Sequence, residues 1–171
     1  LNDVLYLESV GFKRVVLARE LNVEELKMIT DHCQADIEIF VHGALCVSYS
    51  GQCYMSSVLG TRSGNRGRCA QPCRQKYRLF NSDEDRYEDV EGDYLLSPRD
   101  LNTIEDIGRI IDTNVLSLKI EGRMKTAYYV AVVVRAYRMA IDEYYKDPQN
   151  WTFKQEWLDE VKKASYRDFT T

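Results

Sequence analysis

The sequence predicts an α/β fold: the second half of a TIM-type (β/α) barrel, with a cysteine-rich loop insertion and a small antiparallel hairpin. Three observations predict it. Short apolar strands alternate with amphipathic helices, polar side chains end the strands, and four cysteines fall in one glycine-rich stretch. The strands are fewer than the eight that close such a barrel. We therefore expect a single domain over 1–171 that is a fragment of a larger barrel.

The elements follow in order from hydrophobic periodicity, capping and turn residues. Strands are predicted at 14–18, 37–41 and 115–120. Helices are predicted at 2–11, from Asn22 with Glu25 as a capping box, from Thr103 with Asp106, at about 125–146 and at 151–164. The cysteine-rich insertion covers about 43–80, and a hairpin pairs 76–80 with 94–97 around an acidic tip.

The predicted strands carry polar side chains on one face. Because side chains alternate along a strand, Ser117, Lys119 and Glu121 share the face opposite the apolar side chains of 115–120. Glu38 and His42 share a face of the second strand in the same way. In α/β barrels the carboxyl ends of the strands form the active site. These side chains are therefore expected to line an active-site mouth.

Composition narrows the class of protein. A net charge of −4 argues against a general nucleic-acid coat. No apolar run approaches the roughly 20 residues of a membrane span, and the N-terminus lacks the pattern of a signal peptide. We therefore expect a cytoplasmic protein with no membrane partner. In that reducing compartment, clustered cysteines bind a metal or do chemistry more often than they pair.

Four of the five cysteines are spaced C-x6-C-x15-C-x3-C, at Cys46, Cys53, Cys69 and Cys73. One helical turn would bring the last two sulfurs to the same side. Arginines such as Arg74 would offset the negative charge of four thiolates. Thiolates without histidine suit a 4Fe-4S cluster and a structural zinc about equally. Buried thiols without a metal are the remaining alternative.

The charged strand ends allow two interpretations. Lys119, Glu121 and Arg123 either bind an anionic substrate such as a carboxylate or form an ion-pair network inside the fold. The signal for a peptidase is weak, because neither H-E-x-x-H nor G-x-S-x-G occurs. A Cys46 nucleophile with His42 as its base would need that thiol not to be a metal ligand.

The stretch 38–56 resembles the signature of peptidase family U32, E-x-F-x-x-G-(S/A)-x-C-x4-G-x-C-x-x-S, and meets every fixed position. The similarity continues through N-R-G-R-C-A-Q-P-C-R at 65–74, S-L-K-I-E-G-R-M-K at 117–125 and Y-Y-V-A-x-V-V-R-A-Y-R at 128–138. The resemblance implies an incomplete TIM-type barrel in the full-length protein. It also implies that the four cysteines hold an iron–sulfur cluster.

Branches of that family hydroxylate tRNA wobble uridines, ribosomal RNA cytidine or a quinone precursor without molecular oxygen, and prephenate is the suggested oxygen source. The resemblance thus implies hydroxylation of an RNA base, with tRNA and a small carboxylate such as prephenate as partners. The candidate catalytic residues are Glu38, His42, Lys119, Glu121 and Arg123. The alternatives are a metal-dependent peptidase or collagenase, and an inactive structural fragment that self-associates through open sheet edges.

Overall fold

The computed structural model describes residues 1–165 and 167–171. Its chain forms two compact units: Leu1–Ala44 with Arg99–Thr171, and Leu45–Pro98. Helices and a mixed sheet confirm the predicted α/β class. The half-barrel and the single domain stay predictions. Most of the predicted cysteine-rich insertion, 43–80, falls within the second unit.

The first unit contains five strands and five helices among its described residues. Its strands are β1 (Arg14–Val16), β2 (Asp36–Ala44), β5 (Asp100–Asn102), β6 (Ser117–Ile120) and β7 (Phe169–Thr170). Its helices are α1 (Asn2–Ser9), α2 (Val23–Thr30), α4 (Ile107–Ile111), α5 (Ala127–Lys146) and α6 (Gln155–Ala164). The second unit holds α3 (Met55–Gly60) and the strands β3 (Phe80–Asn81) and β4 (Arg86–Tyr87).

The long strand β2 organises the five-stranded sheet. It pairs in parallel with β1 and β6, and its C-terminal end pairs antiparallel with β5, which pairs in parallel with β7. The sheet is therefore mixed, whereas the strands of a TIM-type barrel are all parallel. The reason is that β2 continues to Ala44, where the returning chain at Asp100 lies opposite it.

The core of the first unit is the apolar face of this sheet packed against helices. Val41 on β2, Val133 on α5 and Trp157 on α6 are almost fully buried. The predicted capping box is confirmed, since the Asn22 side chain accepts from the Glu25 N–H and the Glu25 carboxylate accepts from the Asn22 N–H. Burial of this kind, rather than helix propensity, supplies most of the stability of such helices.

Two predicted helix starts are wrong. Thr103 caps no helix by its side chain, because its hydroxyl instead donates to the Val41 carbonyl at 3.0 Å; a 3-10 turn follows, and α4 begins only at Ile107. Helix α6 begins at Gln155 rather than at 151. Trp151 lies outside the helix, where its ring stacks on Trp157 with centroids 5.9 Å apart.

The second unit has little regular structure. Its hairpin is shorter than predicted: β3 pairs with β4, so the tip contains only a few residues. The segment Tyr94 to Ser97 forms no strand, although the Tyr77 N–H just outside the hairpin donates to the Asp93 carbonyl at 2.8 Å. Across the described parts of both units, no helix combines the length and apolar character needed to cross a bilayer.

Candidate functional site

Glu38 lies at the centre of a charged group on the sheet. Its carboxylate accepts hydrogen bonds from the Ser117 hydroxyl and the Lys119 ammonium, both at 2.9 Å, and the Arg14 guanidinium lies 3.7 Å away. These contacts confirm that Ser117 and Lys119 share the face of Glu38. The hydrogen bond from Lys119 is the main reason that the pKa of Glu38 lies below its usual value.

Phe40 continues this face of β2. The Arg19 guanidinium lies over its ring at 3.8 Å from the centroid, and the Lys119 ammonium lies 5.4 Å from the same centroid. Cations over an aromatic face are attracted by its negative quadrupole. Cationic side chains from β6 and from the segment after β1 are thus held near one carboxylate and one ring, which is an arrangement able to receive an anion.

Glu121 and Arg123 follow the end of β6. The Glu121 N–H donates to the His42 carbonyl at 2.8 Å, and the Glu121 carboxylate accepts from the Arg123 N–H at 2.9 Å. Glu121 therefore fixes the backbone turn after the strand, while the Arg123 side chain is exposed. Direct roles for these two residues in binding a substrate stay predictions.

His42 is enclosed rather than exposed at an open mouth, with 1% of its surface accessible. Its ring contacts the rings of Tyr129 and Tyr137 on α5 and Phe169 on β7, with centroids 5.5 to 6.0 Å apart. Burial is the main cause that lowers the pKa of His42 to about 4, and the nearby Asp100 partly opposes it. The imidazole is therefore neutral at physiological pH.

Sequence reasoning missed the polar residues around His42. Asp100, which is 0% exposed, pairs with the Lys125 ammonium at 3.0 Å and the Arg167 guanidinium at 3.2 Å. The amide oxygen of Asn102, two residues on, lies 3.2 Å from the Tyr137 hydroxyl oxygen. The available signal was the alternation of polar and apolar residues in Asp-Leu-Asn, which puts both polar side chains on one face. Three residues were too few to reveal a strand.

The four cysteines of the predicted ligand set lie in the second unit. All five cysteines of the chain are described, and none is in a disulfide. Burial raises the pKa of Cys73, the adjacent Arg74 lowers it, and the other three thiols of the set raise it further. The other three thiols thus lie close enough to Cys73 to influence its charge. Among the described residues, no three His, Cys, Asp or Glu side chains are grouped as ligands of a single metal ion.

No α-helical turn joins Cys69 and Cys73, although their spacing would allow one. Gln71 has a φ of +58° and precedes Pro72, so a 3-10 turn, Pro72–Arg74, replaces it. The irregular path lets the Gln71 N–H donate to the Cys69 sulfur at 3.3 Å. A Cβ added at Gly64 would lie 3.9 Å from that same sulfur. Such N–H donors to sulfur and close backbone suit a thiolate that carries charge.

The Arg74 side chain connects the two ends of the second unit. Its guanidinium donates to the carbonyls of Leu45 and Pro98, at 2.5 and 2.9 Å, and to the Ser97 hydroxyl at 3.0 Å. One side chain therefore ties the first and last residues of this unit together. The five other predicted site residues lie in the first unit.

The low pKa of His42 predicts acid sensitivity. An unfolded histidine has a pKa near 6.5. Between about pH 6.5 and 4 the unfolded state therefore binds a proton that the folded state does not, and the free energy of unfolding decreases as the pH is lowered. The free energy of unfolding should drop by about 3 kcal/mol over this window, measured by urea unfolding. The lowered pKa of Glu38 causes a further loss of stability, which begins only when the pH falls below about 4.5, the pKa of an unfolded glutamate.

The matched control is His32, which is exposed. His42→Gln should flatten the slope of unfolding free energy between pH 6.5 and 4, whereas His32→Gln should leave it unchanged. An unchanged slope in His42→Gln would contradict the assignment of the acid sensitivity to this ring.

Comparisons with known proteins agree with these features. The model of peptidase family U32 matches residues 1–171. Over 98% of its length the chain is 42% identical to the tRNA hydroxylation protein P1 of Bacillus subtilis, and it spans 41% of that protein. Over 80% of its length it is 46% identical to the 23S rRNA 5-hydroxycytidine synthase of Escherichia coli, of which it spans 21%.

The chain is also 42% identical, over 76% of its length, to a collagenase of Porphyromonas gingivalis, of which it spans 34%. It therefore spans less than half of each of these relatives. No solved structure matches it. Because the family model covers all 171 residues, the chain belongs to peptidase family U32.

Proposed function

We propose that the full-length protein hydroxylates a base in RNA, with a tRNA wobble uridine as the substrate. The main support for this proposal is the 42% identity, over almost the whole chain, to a protein named for tRNA hydroxylation. The relative named as an rRNA 5-hydroxycytidine synthase supports the same reaction class, the addition of a hydroxyl group to a pyrimidine.

The cofactor of this proposal is a 4Fe-4S cluster held by Cys46, Cys53, Cys69 and Cys73, with a structural zinc as the alternative. The influence of the other three thiols on Cys73 and the Gln71 N–H that donates to Cys69 fit a group of thiolates. When bound, the cluster would supply one-electron chemistry for activating the oxygen donor. The chain's own part is to hold the thiolates and offset their charge.

The co-substrate of the proposal is a small carboxylate such as prephenate, bound near Lys119 and Arg123. Lys119 and Arg19 present positive charge over one face of the sheet, and the Arg123 guanidinium is exposed beyond it. A carboxylate would replace the hydrogen bond that Lys119 now makes to Glu38 or share that ammonium with it. Glu121 would orient Arg123 by holding its backbone N–H.

A second candidate function, peptidase activity, is favoured by the relative named collagenase. The properties of His42, which would be the general base of such a peptidase, argue against this activity. A general base works best when its pKa lies near the operating pH, whereas burial lowers that of His42 to about 4. The ring is also almost completely enclosed, so a peptide has no direct access to it in this conformation.

The test uses full-length protein expressed in cells that lack the native copy. Cys69→Ser should lose iron and sulfide and leave the RNA base unmodified, as measured by metal analysis of anaerobically purified protein and by mass spectrometry of nucleosides. Cys33, in the first unit and packed beside the core, provides the control. Cys33→Ala should keep both the iron and the modification.

Each alternative has its own result. Full modification by Cys69→Ser without iron would contradict the cluster, and one tightly held zinc in wild-type protein would support a structural site. Sustained cleavage of gelatin by wild-type protein, lost in His42→Ala, would support the peptidase instead.

A further inference from the structure

Two buried polar atoms on neighbouring aromatic rings have no hydrogen-bond partner in the part of the chain that the structure describes. They are Nε2 of His42 and the hydroxyl oxygen of Tyr129. The two side chains are 1% and 3% exposed, and their ring centroids lie 6.0 Å apart. Leaving such an atom without a partner costs about 1–3 kcal/mol. Because the two atoms belong to neighbouring rings, one ligand bound by both is a simpler explanation than two separate defects.

The protonation of the other ring nitrogen of His42, Nδ1, decides whether Nε2 is a hydrogen-bond donor or an acceptor. Nδ1 lies 3.4 Å from the Tyr137 hydroxyl, whose single proton goes to the Val41 carbonyl at 2.8 Å, its shortest acceptor. Nδ1 therefore carries the ring proton and donates toward the Tyr137 oxygen. In a neutral imidazole the remaining nitrogen then has a lone pair. Nε2 is thus an acceptor that needs a donor.

The surrounding charges restrict the ligand further. Asp100, Lys125 and Arg167 already satisfy one another, and the Lys125 ammonium lies 4.7 Å from the Tyr129 ring centroid. That ammonium would repel a cationic ligand. An ionised carboxylate has no proton to donate to Nε2. Both residues are almost completely buried, so a bulky ligand such as a phosphate ester has no access to their rings in this conformation. A hydroxyl donates once and accepts twice, which matches both atoms.

We propose that Nε2 of His42 and the Tyr129 hydroxyl together bind one hydroxyl group, which comes either from a water molecule or from the alcohol of a small substrate. The ligand donates its proton to Nε2 and accepts from, or donates to, Tyr129. Tyr137 and Asn102 act as positioning residues, since they hold the ring with its lone pair toward the ligand. This site does not depend on the proposed RNA hydroxylation.

The first measurement is nitrogen-15 NMR of the imidazole in the full-length protein. We expect His42 as the neutral tautomer with Nδ1 protonated, and Nε2 shifted by an accepted hydrogen bond. Asp100, Lys125, Tyr129 and Tyr137 are the titratable groups that face this ring. A protonated Nε2, or an Nε2 shift typical of a nitrogen without any donor, would overturn the proposal.

The second measurement compares two neighbouring tyrosines by thermal unfolding. If a hydroxyl group is bound, Tyr129→Phe removes one of its partners and lowers the melting temperature. It also moves the Nε2 resonance. Tyr128→Phe, a substitution at a 63% exposed side chain, should change neither. A higher melting temperature in Tyr129→Phe would overturn the proposal, because removing an unbound buried hydroxyl stabilises a protein.

The source of the hydroxyl is separated in a third step. In protein dialysed free of small molecules, a magnetisation transfer from long-lived water to the His42 ring identifies water as the ligand. Where that transfer is absent, titration with methanol should move the Nε2 resonance and thereby identify an alcohol site. If neither water nor methanol affects Nε2, the proposal is wrong.

Discussion

Replacing Gly43 by alanine should lower the free energy of unfolding by about 3–5 kcal/mol. Gly43 has a φ of +112°, in the left-handed region that disfavours a side chain. An added Cβ would also lie 2.4 Å from the Glu121 carbonyl oxygen and 2.9 Å from the Glu121 Cβ. Backbone strain and a collision with a neighbouring strand end therefore act together. Urea unfolding monitored by circular dichroism measures the loss.

Gly11 separates the two causes. Its φ is +97°, but no described heavy atom lies within 4 Å of a Cβ added there, apart from its chain neighbours. Gly11→Ala should therefore show only the conformational cost, about 1–2 kcal/mol. Equal losses of unfolding free energy in the two variants would mean that the collision with Glu121 adds nothing to the cost of a side chain at Gly43.

Removing the Asp100 carboxylate should destabilise the first unit by a similar amount, about 3–5 kcal/mol in Asp100→Ala. The carboxylate is 0% exposed and is the shared partner of Lys125 and Arg167. Its loss leaves two partly buried cations close together without the charge that compensates them. The midpoint of urea unfolding reports the change. Asp100→Asn, which keeps the shape and removes only the charge, should lose most of the same stability.

An exposed ion pair supplies the comparison. Asp106 pairs with Arg109 at 2.9 Å near the surface, where such pairs contribute about 0–1 kcal/mol. Asp106→Asn should therefore change the unfolding midpoint little. If Asp100→Asn proved as mild as Asp106→Asn, the buried charge cluster would not be what joins β5, β7 and the start of α5.

Local signals predicted the helices better than the sheet. The Asn22 and Glu25 pair is a self-contained motif of four residues, and it folds as the sequence indicates. Strand β5 was missed because Asp and Asn are poor strand formers and its pairing with Ala44 depends on residues more than fifty positions away. The predicted start of α6 failed because the rings of Trp151 and Trp157 stack, which is a tertiary contact.

The candidate site was predictable only in part, for the same physical reason. Alternation along 115–120 correctly put Ser117 and Lys119 on one face, and both side chains donate to Glu38. It also pointed to His42, but not to the burial that makes this histidine neutral. That burial comes from Tyr129, Tyr137 and Phe169, which lie on elements that reach the ring only in the folded chain. The cysteine group was visible because its members are close in sequence.

The pairing of Ala44 with Asp100 makes the sheet modular. The two residues at the base of the second unit are neighbours on antiparallel strands, so for the sheet the entire segment Leu45–Pro98 is the loop of one hairpin. The entropy of closing a loop grows only with the logarithm of its length. Evolution or a protein engineer can therefore lengthen, shorten or exchange this cysteine-bearing segment while the strands that flank it keep their register.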